Sequence, residues 1–303
     1  MSASESSGSE PTEKAAGMAT GPPSSTWQQL RIHVMRDPVA VASVIFLALI
    51  ILLAAMAPTI TPYTPEAANL RDAYAAPSPS NWLGTDQLGR DVLTRLVYAG
   101  RISLIAAFQA VGIGLAIGVV PGVVLGYLSG PLDLIGARIA DLLLSFPSLV
   151  LAIGIVAAFG PSLTTAMIAV GIVFAPRFFR LVRGQALNAR NEVYVLAAQC
   201  VGLPPWRILA RHVLPAVWPP LIVQVSFALG LGLIIEASLS FLGLGVQPPQ
   251  SSWGVMIGAA RGHMTRAPWL FLAPGLVIFL TVLSFNTLGD RLRDVLVRSE
   301  DAE

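Results

Sequence analysis

Glu236 is the first residue whose chemistry demands a reason. It stands in LGLIIEASLSFLGLG, the one acidic group well inside a long apolar run. A charge at mid-bilayer costs ~2.5–3.5 kcal/mol even on the lenient insertion scale, so such a carboxyl faces a cavity or a partner. Two roles are open to it. It lines a solute path, or it is a buried structural carboxyl, hydrogen-bonded or protonated. Gln109, Gln224 and Asn286 are further polar groups at membrane depth, and amides there commonly join helices.

Other chemistries are excluded by spacing. A phosphate-binding loop needs a Gly-Lys-Ser/Thr sequence after a strand. The single lysine, Lys14, lies between Glu13 and Ala15 in a polar tail, so ATP is not expected to bind this way. His33, His212 and His263 are far apart, with no HExxH spacing for a metal. No Gly-x-Ser-x-Gly elbow is present. One cysteine, Cys200, allows no intrachain disulfide and no cysteine-based metal site. Nothing here argues for catalysis.

A second cluster is YVLAAQCVGLPPWRILARHVLP, from Tyr194 to Pro215. It carries two arginines, a histidine and three prolines between apolar runs. The part before Gly202 holds good helix formers, and Gly202 is a natural C-terminal stop. Pro205 suits the first turn of a second helix. Pro215, Pro219 and Pro220 mark the passage into the next apolar run. The pattern predicts a helix-turn-helix elbow, too long and too ordered for a plain connector. Such an elbow docks on another protein.

The elements that hold these groups follow from composition. The 303 residues are 54% hydrophobic and 12% charged, against about a quarter charged in soluble domains. Mean hydropathy is +0.71. An all-α integral membrane protein follows. The net charge of +2 gives no reason to expect nucleic acid as a partner.

A spanning helix needs ~20 mainly apolar residues. Six runs qualify: Val39–Ala57, Ile102–Leu128, Ile139–Phe159, Leu163–Phe179, Leu221–Leu244 and Trp269–Leu288. With both termini cytoplasmic, 13 of the basic residues face inward and 6 outward, as the positive-inside rule requires. The inward set includes Lys14, Arg31, Arg36, Arg138, Arg177, Arg180, Arg183, Arg190, Arg207 and Arg211. The chain divides into a disordered cytoplasmic tail over 1–30, a first span with an extracytoplasmic segment over 31–100, and a five-helix core over 101–303. The elbow loop occupies about 184–216.

Two smaller expectations concern packing. In the segment before the second span, Leu88, Val92 and Leu96 recur at helical spacing, which predicts a short amphipathic interfacial helix capped by Thr85 or Asp86. In the second span Gly114, Gly118, Gly122 and Gly126 form one smooth stripe. Close backbone approach along small residues drives helix association in lipid, so the stripe predicts intimate packing, first of all within the chain.

The spacing Ala197-Ala198, three residues, Gly202, eleven residues, Leu214-Pro215 resembles the EAA motif of inner-membrane permeases of binding-protein-dependent ABC importers. His212 ahead of Leu214-Pro215 resembles the oligopeptide, dipeptide and nickel branch. NWLGTDQLGRDVLTRLVYAGRISL, ADLLLSFPSLVLAI and EASLSFLGLGVQPPQSSWGVMI resemble stretches of the C-type subunit of that branch. The likeness covers roughly 31–298. It implies a type I importer permease fold and a bacterial cytoplasmic-membrane location. It also implies a heterodimer with a sister B-type permease, two ATPase subunits that bind ATP and Mg, and an extracytoplasmic solute-binding protein.

In that resemblance the elbow is the ATPase-coupling segment, which assigns Glu192, Leu196, Ala197, Ala198, Gly202, Arg207, His212, Leu214 and Pro215 to coupling. The family often has Glu where this chain has Leu196. Glu192, four residues earlier, shares that helical face and is expected to supply the missing charge. The implied solutes are short peptides, with nickel chelates or glutathione-like compounds as alternatives. From the residues alone, a stand-alone secondary transporter also accounts for six spans and Glu236, but not for the elbow, and no inverted repeat stands out.

Overall fold

In a computed structural model, which describes residues 37–300, the chain is helical throughout apart from its loops. The tail expected over 1–30 lies outside the described residues, as do Lys14, Arg31, His33 and Arg36. In chain order the helices are α1 (Pro38–Ala55), a single turn α2 (Ala57–Ile60), α3 (Val92–Leu128), α4 (Pro131–Ser145), α5 (Ser148–Phe159) and α6 (Leu163–Arg190). They continue as α7 (Val193–Cys200), α8 (Pro205–Ile208), α9 (Leu214–Phe241), α10 (Trp253–Ala260) and α11 (Trp269–Glu300).

Five helical stretches are long and apolar enough to span a membrane: Pro38–Ala55, Val92–Leu128, Leu163–Arg190, Pro205–Phe241 and Trp269–Asp294. The sixth expected span, Ile139–Phe159, is not one straight helix. It is the pair α4 and α5, bent by 93° at Phe146 and Pro147. Proline supplies no N–H and pushes the residue before it out of the α region. Phe146 is accordingly extended, at φ −87° and ψ 139°.

Two further expectations change. The amphipathic segment before the second span does not form a helix of its own. It supplies the first turns of α3, which runs 37 residues without a break. The cap is Asp91, not Thr85 or Asp86, and its Oδ2 accepts from the Thr94 N–H at 2.8 Å. Asp86 instead organises the loop, where its Oδ1 accepts from the backbone N–H groups of Leu88 and Arg90 at 2.9 and 3.0 Å. No proline interrupts the chain between Val92 and Ile102, and Gly100, the glycine there, takes no positive φ, so nothing stops the helix.

The fifth span likewise starts early. Pro215, Pro219 and Pro220 do not separate the elbow from the membrane helix, which is continuous from Pro205 to Phe241. A π turn over Leu209–Val213 precedes the first of them, and the Leu214 N–H donates five residues back to the Leu209 carbonyl. The wider turn shifts the hydrogen-bond ladder just before Pro215, where the i→i−4 pattern must lose a donor.

The most extensive helix contact is that of α3 with α6. Gly114, Gly118, Gly122 and Gly126 all face it. A Cβ at Gly114 would lie 2.9 Å from the Phe174 Cβ, and one at Gly118 only 2.4 Å from the Ala175 carbonyl oxygen. At Gly122 and Gly126 the nearest atoms are the Phe179 and Arg183 carbonyl oxygens, at 3.0 and 2.8 Å. Elsewhere, Arg291 of α11 pairs with the α1 cap residue Asp37 at 2.5 Å.

Candidate functional site

The elbow between α6 and α9 is built by its own sequence. Glu192 is the N-cap residue of α7, at φ −71° and ψ 143°. The helix ends at Gly202, whose φ of +81° is the left-handed conformation that glycine adopts without strain. The Leu203 N–H donates to the Ala198 carbonyl at 3.1 Å and the Gly202 N–H to the Gln199 carbonyl at 2.9 Å. This Schellman pair satisfies carbonyls that a helix end otherwise leaves free. Pro205 then opens α8 at its first position.

The elbow has an inner and an outer face. Val195, Ala198, Ile208 and Val213 are buried and join the core. Val193, Leu196, Val201 and Trp206 project outward at 80%, 47%, 81% and 65% exposure. Glu192, Ala197, Gly202, Arg207 and Pro215 are exposed beside them, while His212 and Leu214 are half-buried. Space is open at Gly202, where an added Cβ meets nothing within 4 Å. The guanidinium of Arg207 lies 5.2 Å from the Trp206 ring centre.

Two contacts hold the elbow at its angle. The ring of His212, on the π turn, stacks on Tyr194 of α7 at 6.3 Å between centroids. Gln199 donates to the Tyr127 hydroxyl at the end of α3, at 3.2 Å. The outer face is thus an apolar ridge with the Arg207 guanidinium at its edge.

Three arginines of α6, not singled out as a set from the sequence, brace the region behind the elbow. Arg183 makes a two-pronged pair with Asp133, at 2.5 and 2.7 Å. Arg180 donates to Asp141, and Arg177 donates to Ser148 Oγ at 3.0 Å. These three partners lie along α4 and the start of α5. The signal was available, since Arg177, Arg180 and Arg183 recur every three residues and Asp133 and Asp141 are eight apart on one helix.

Glu236 is not brought to the elbow. It lies 22 residues beyond Leu214 on the same rod, roughly 33 Å along the axis. It is fully buried. Its Oε1 accepts from Ser240 Oγ at 2.7 Å, and the hydroxyls of Ser103 and Ser252 are its other polar neighbours. The Trp253 N–H donates to Ser103 Oγ at 3.1 Å, and the Trp253 indole donates to the Leu96 carbonyl at 2.9 Å. Glu236 thus sits in a junction that joins α3, α9 and α10. Among the described residues, no group of three or more His, Cys, Asp or Glu side chains is placed to hold a metal.

Comparison with known proteins places this geometry in context. Residues 114–301 match the family described as binding-protein-dependent transport system inner membrane component. Residues 25–77 match the N-terminal transmembrane domain of oligopeptide transport permease C. A dipeptide transport system permease protein of Alkalihalophilus pseudofirmus is 40% identical over 272 residues, covering 90% of each chain. A glutathione transport system permease protein of Pectobacterium atrosepticum is 42% identical, covering 89% of this chain and 90% of its own. A probable D,D-dipeptide transport system permease protein of Escherichia coli K12 is 39% identical over 86% of this chain and 87% of its own. Two crystal forms of the inward-facing MetNI methionine ABC transporter share the fold, with TM-scores of 0.52 and 0.55 at 21% identity. They cover 67% of this chain and 96% and 97% of theirs.

Proposed function

This chain belongs to the family of inner-membrane components of binding-protein-dependent transport systems, in its oligopeptide permease C branch, and from that premise we propose that it is half of the solute path of an importer of short peptides. It is a multi-pass permease subunit of an ABC importer and not itself an enzyme. Similarity at about 40% over nine-tenths of the length to a dipeptide permease carries the choice of peptide. Similarity to a glutathione permease favours glutathione, itself a peptide, as the second reading.

The partners are a sister B-type permease, two ATPase subunits that bind ATP and Mg, and an extracytoplasmic binding protein. Both termini and the elbow face the cytoplasm, a reading supported by the crowding of arginines on the elbow side. The elbow docks on an ATPase through Leu196, Val193, Val201 and Trp206, with Glu192 and Arg207 supplying charge. Ala197, Ala198, Gly202, His212, Leu214 and Pro215 shape the docked surface. ATPase closure moves the elbow and so shifts the bundle between two arrangements, which requires elbow contacts that differ between the two states. Glu236 serves in that cycle as a buried fastener of the outer junction and not as a path-lining charge, a role favoured by its complete burial.

Purification and reconstitution test the reading. The chain is expected to co-purify with a second permease and ATPases, and proteoliposomes holding the complex and the binding protein are expected to take up labelled dialanine only with ATP. A chain that purifies alone and transports without ATP refutes it. Competition by glutathione with no uptake of dialanine selects the second reading.

A further inference from the structure

A cleft opens at the end of α3 remote from the elbow, with space of about 490 Å³. That lies within the range of roughly 300–1,000 Å³ that small-molecule sites occupy. One wall is a single face of α3, where Arg95, Tyr98 and Arg101 follow at three-residue intervals. The other walls come from the loop that holds Glu66 and the loop that holds Gln250 and Ser251.

The charges of the cleft are only partly spent within the chain. Arg95 is buried at 7% exposure, yet its contacts are long: 3.5 Å to Asp86 Oδ2 and 3.5 Å to the Pro65 carbonyl. Asp86 is already engaged by Arg90 at 2.7 Å. Arg101 and Glu66 have no hydrogen bond or ion pair with any described residue. The cleft therefore offers one guanidinium, Arg101, and one acid, Glu66, that no hydrogen bond engages, with Arg95 a second guanidinium in the wall and within the field of Glu66. The lining also holds the phenol of Tyr98, the amide of Gln250 and the hydroxyl of Ser251, which suit a peptide bond. A free short peptide carries the complementary pattern, with an ammonium at one end and a carboxylate at the other.

We propose that this cleft is a receiving site for zwitterionic peptides, in which Arg101, backed by Arg95, takes the terminal carboxylate and Glu66 the terminal ammonium. Guanidinium holds carboxylate through paired charge-assisted hydrogen bonds, which a lone amide cannot reproduce. The proposal rests on the reading of the chain as a peptide-importer subunit and adds a binding step made by this chain itself.

The test is direct binding to the whole complex in nanodiscs, without the binding protein, followed by saturation-transfer NMR. Dialanine and dialanine amide are the probes. Arg101→Gln is expected to weaken dialanine about tenfold or more, the loss of one charge-assisted contact. The amide is expected to bind wild type and variant alike. Glu66→Gln is the second variant, with N-acetyl-dialanine as its insensitive probe. Equal dialanine binding by wild type and both variants overturns the proposal, as does no binding by wild type. A drop only in affinity for the loaded binding protein assigns Arg101 to docking and also overturns it. An effect seen only in nanodiscs of anionic lipid assigns Arg101 to a headgroup, with the same consequence. Failure of the wild-type complex to import dialanine instead refutes the peptide-importer reading, whatever the cleft binds.

Discussion

Gly118 and Ala175 touch backbone to backbone: a Cβ on Gly118 would come within 2.4 Å of the Ala175 carbonyl oxygen. Backbone cannot yield as a flexible side chain does. Gly118→Ala is expected to part α3 from α6, and Gly118→Val to abolish accumulation of the chain. Gly112, on the same helix, meets nothing within 4 Å, so Gly112→Ala should leave the level unchanged. Membrane levels and detergent melting of the three variants check this, and equal behaviour of Gly112→Ala and Gly118→Ala contradicts the close contact.

The pair of Asp133 with Arg183 couples the bent third span to α6 through two hydrogen bonds, at 2.5 and 2.7 Å. Asp133 is buried, at 7% exposure. Removing one partner of such a pair leaves the other uncompensated. Asp133→Ala is expected to destabilise the complex by about 2 kcal/mol, in the range of lost charged hydrogen bonds. The exchange Asp133→Arg with Arg183→Asp should recover part of that loss. A thermal-melting cycle over the two singles and the double measures it, and additive losses count against the pair.

Glu236→Gln keeps an acceptor for Ser240 and should hold uptake within about threefold. Glu236→Leu removes the acceptor of the buried Ser240 hydroxyl and should cost about 1–3 kcal/mol, seen as reduced chain in the membrane. If Glu236→Gln assembles fully but transports nothing, the carboxylate charge itself is needed and the fastener role is wrong.

At Gly202 the φ of +81° and the open space beside it separate fold from docking. Gly202→Ala pays only the left-handed backbone strain, about 1–2 kcal/mol. Gly202→Asp also sets a charge on the docking face, and is expected to uncouple ATP hydrolysis from uptake while the chain stays in the membrane. Glu192→Ala should weaken ATPase association if Glu192 stands in for the acid missing at Leu196. ATPase co-purification and binding-protein-stimulated hydrolysis are the readouts, and unchanged values in both variants exclude the coupling assignment.

Cys200 is the chain's single cysteine and is exposed on α7. It reports on sidedness and docking without any mutation. A membrane-impermeant maleimide should label it in inverted vesicles and not in intact cells. Assembly with the ATPase subunits should slow that labelling. Labelling in intact cells reverses the proposed orientation.

Hydropathy made the spans legible because burial in lipid demands long apolar runs, and the glycine seam because period-four spacing is itself a surface. Gly202 and Pro205 mark the elbow for a similar local reason: each is tied to one backbone geometry. What escaped was set by long-range contact. The break before Pro147 lies inside a run that hydropathy reads as continuous. Asp91 rather than Asp86 caps α3 because the helix starts only at Val92, after a loop in which Gly84 and Gly89 take positive φ. Trp253 meets Ser103 and Leu96 across some 150 residues of sequence, a distance over which spacing carries no information. The outer cleft is likewise made by three segments that meet only in the fold.

The unbroken helix from Pro205 to Phe241 has a mechanical meaning. With 37 residues it is a rod of roughly 55 Å. Its base carries the elbow, and Glu236 and Ser240 sit close to its far tip. A hinge at the prolines would absorb a push at the base as local bending. A continuous rod instead acts as a lever. A tilt of only ~5° about the π turn carries the tip ~3 Å sideways over a ~40 Å arm. That is the length of a hydrogen bond, enough to draw Glu236 away from the Ser103 and Ser252 hydroxyls at the end of the bundle remote from the elbow.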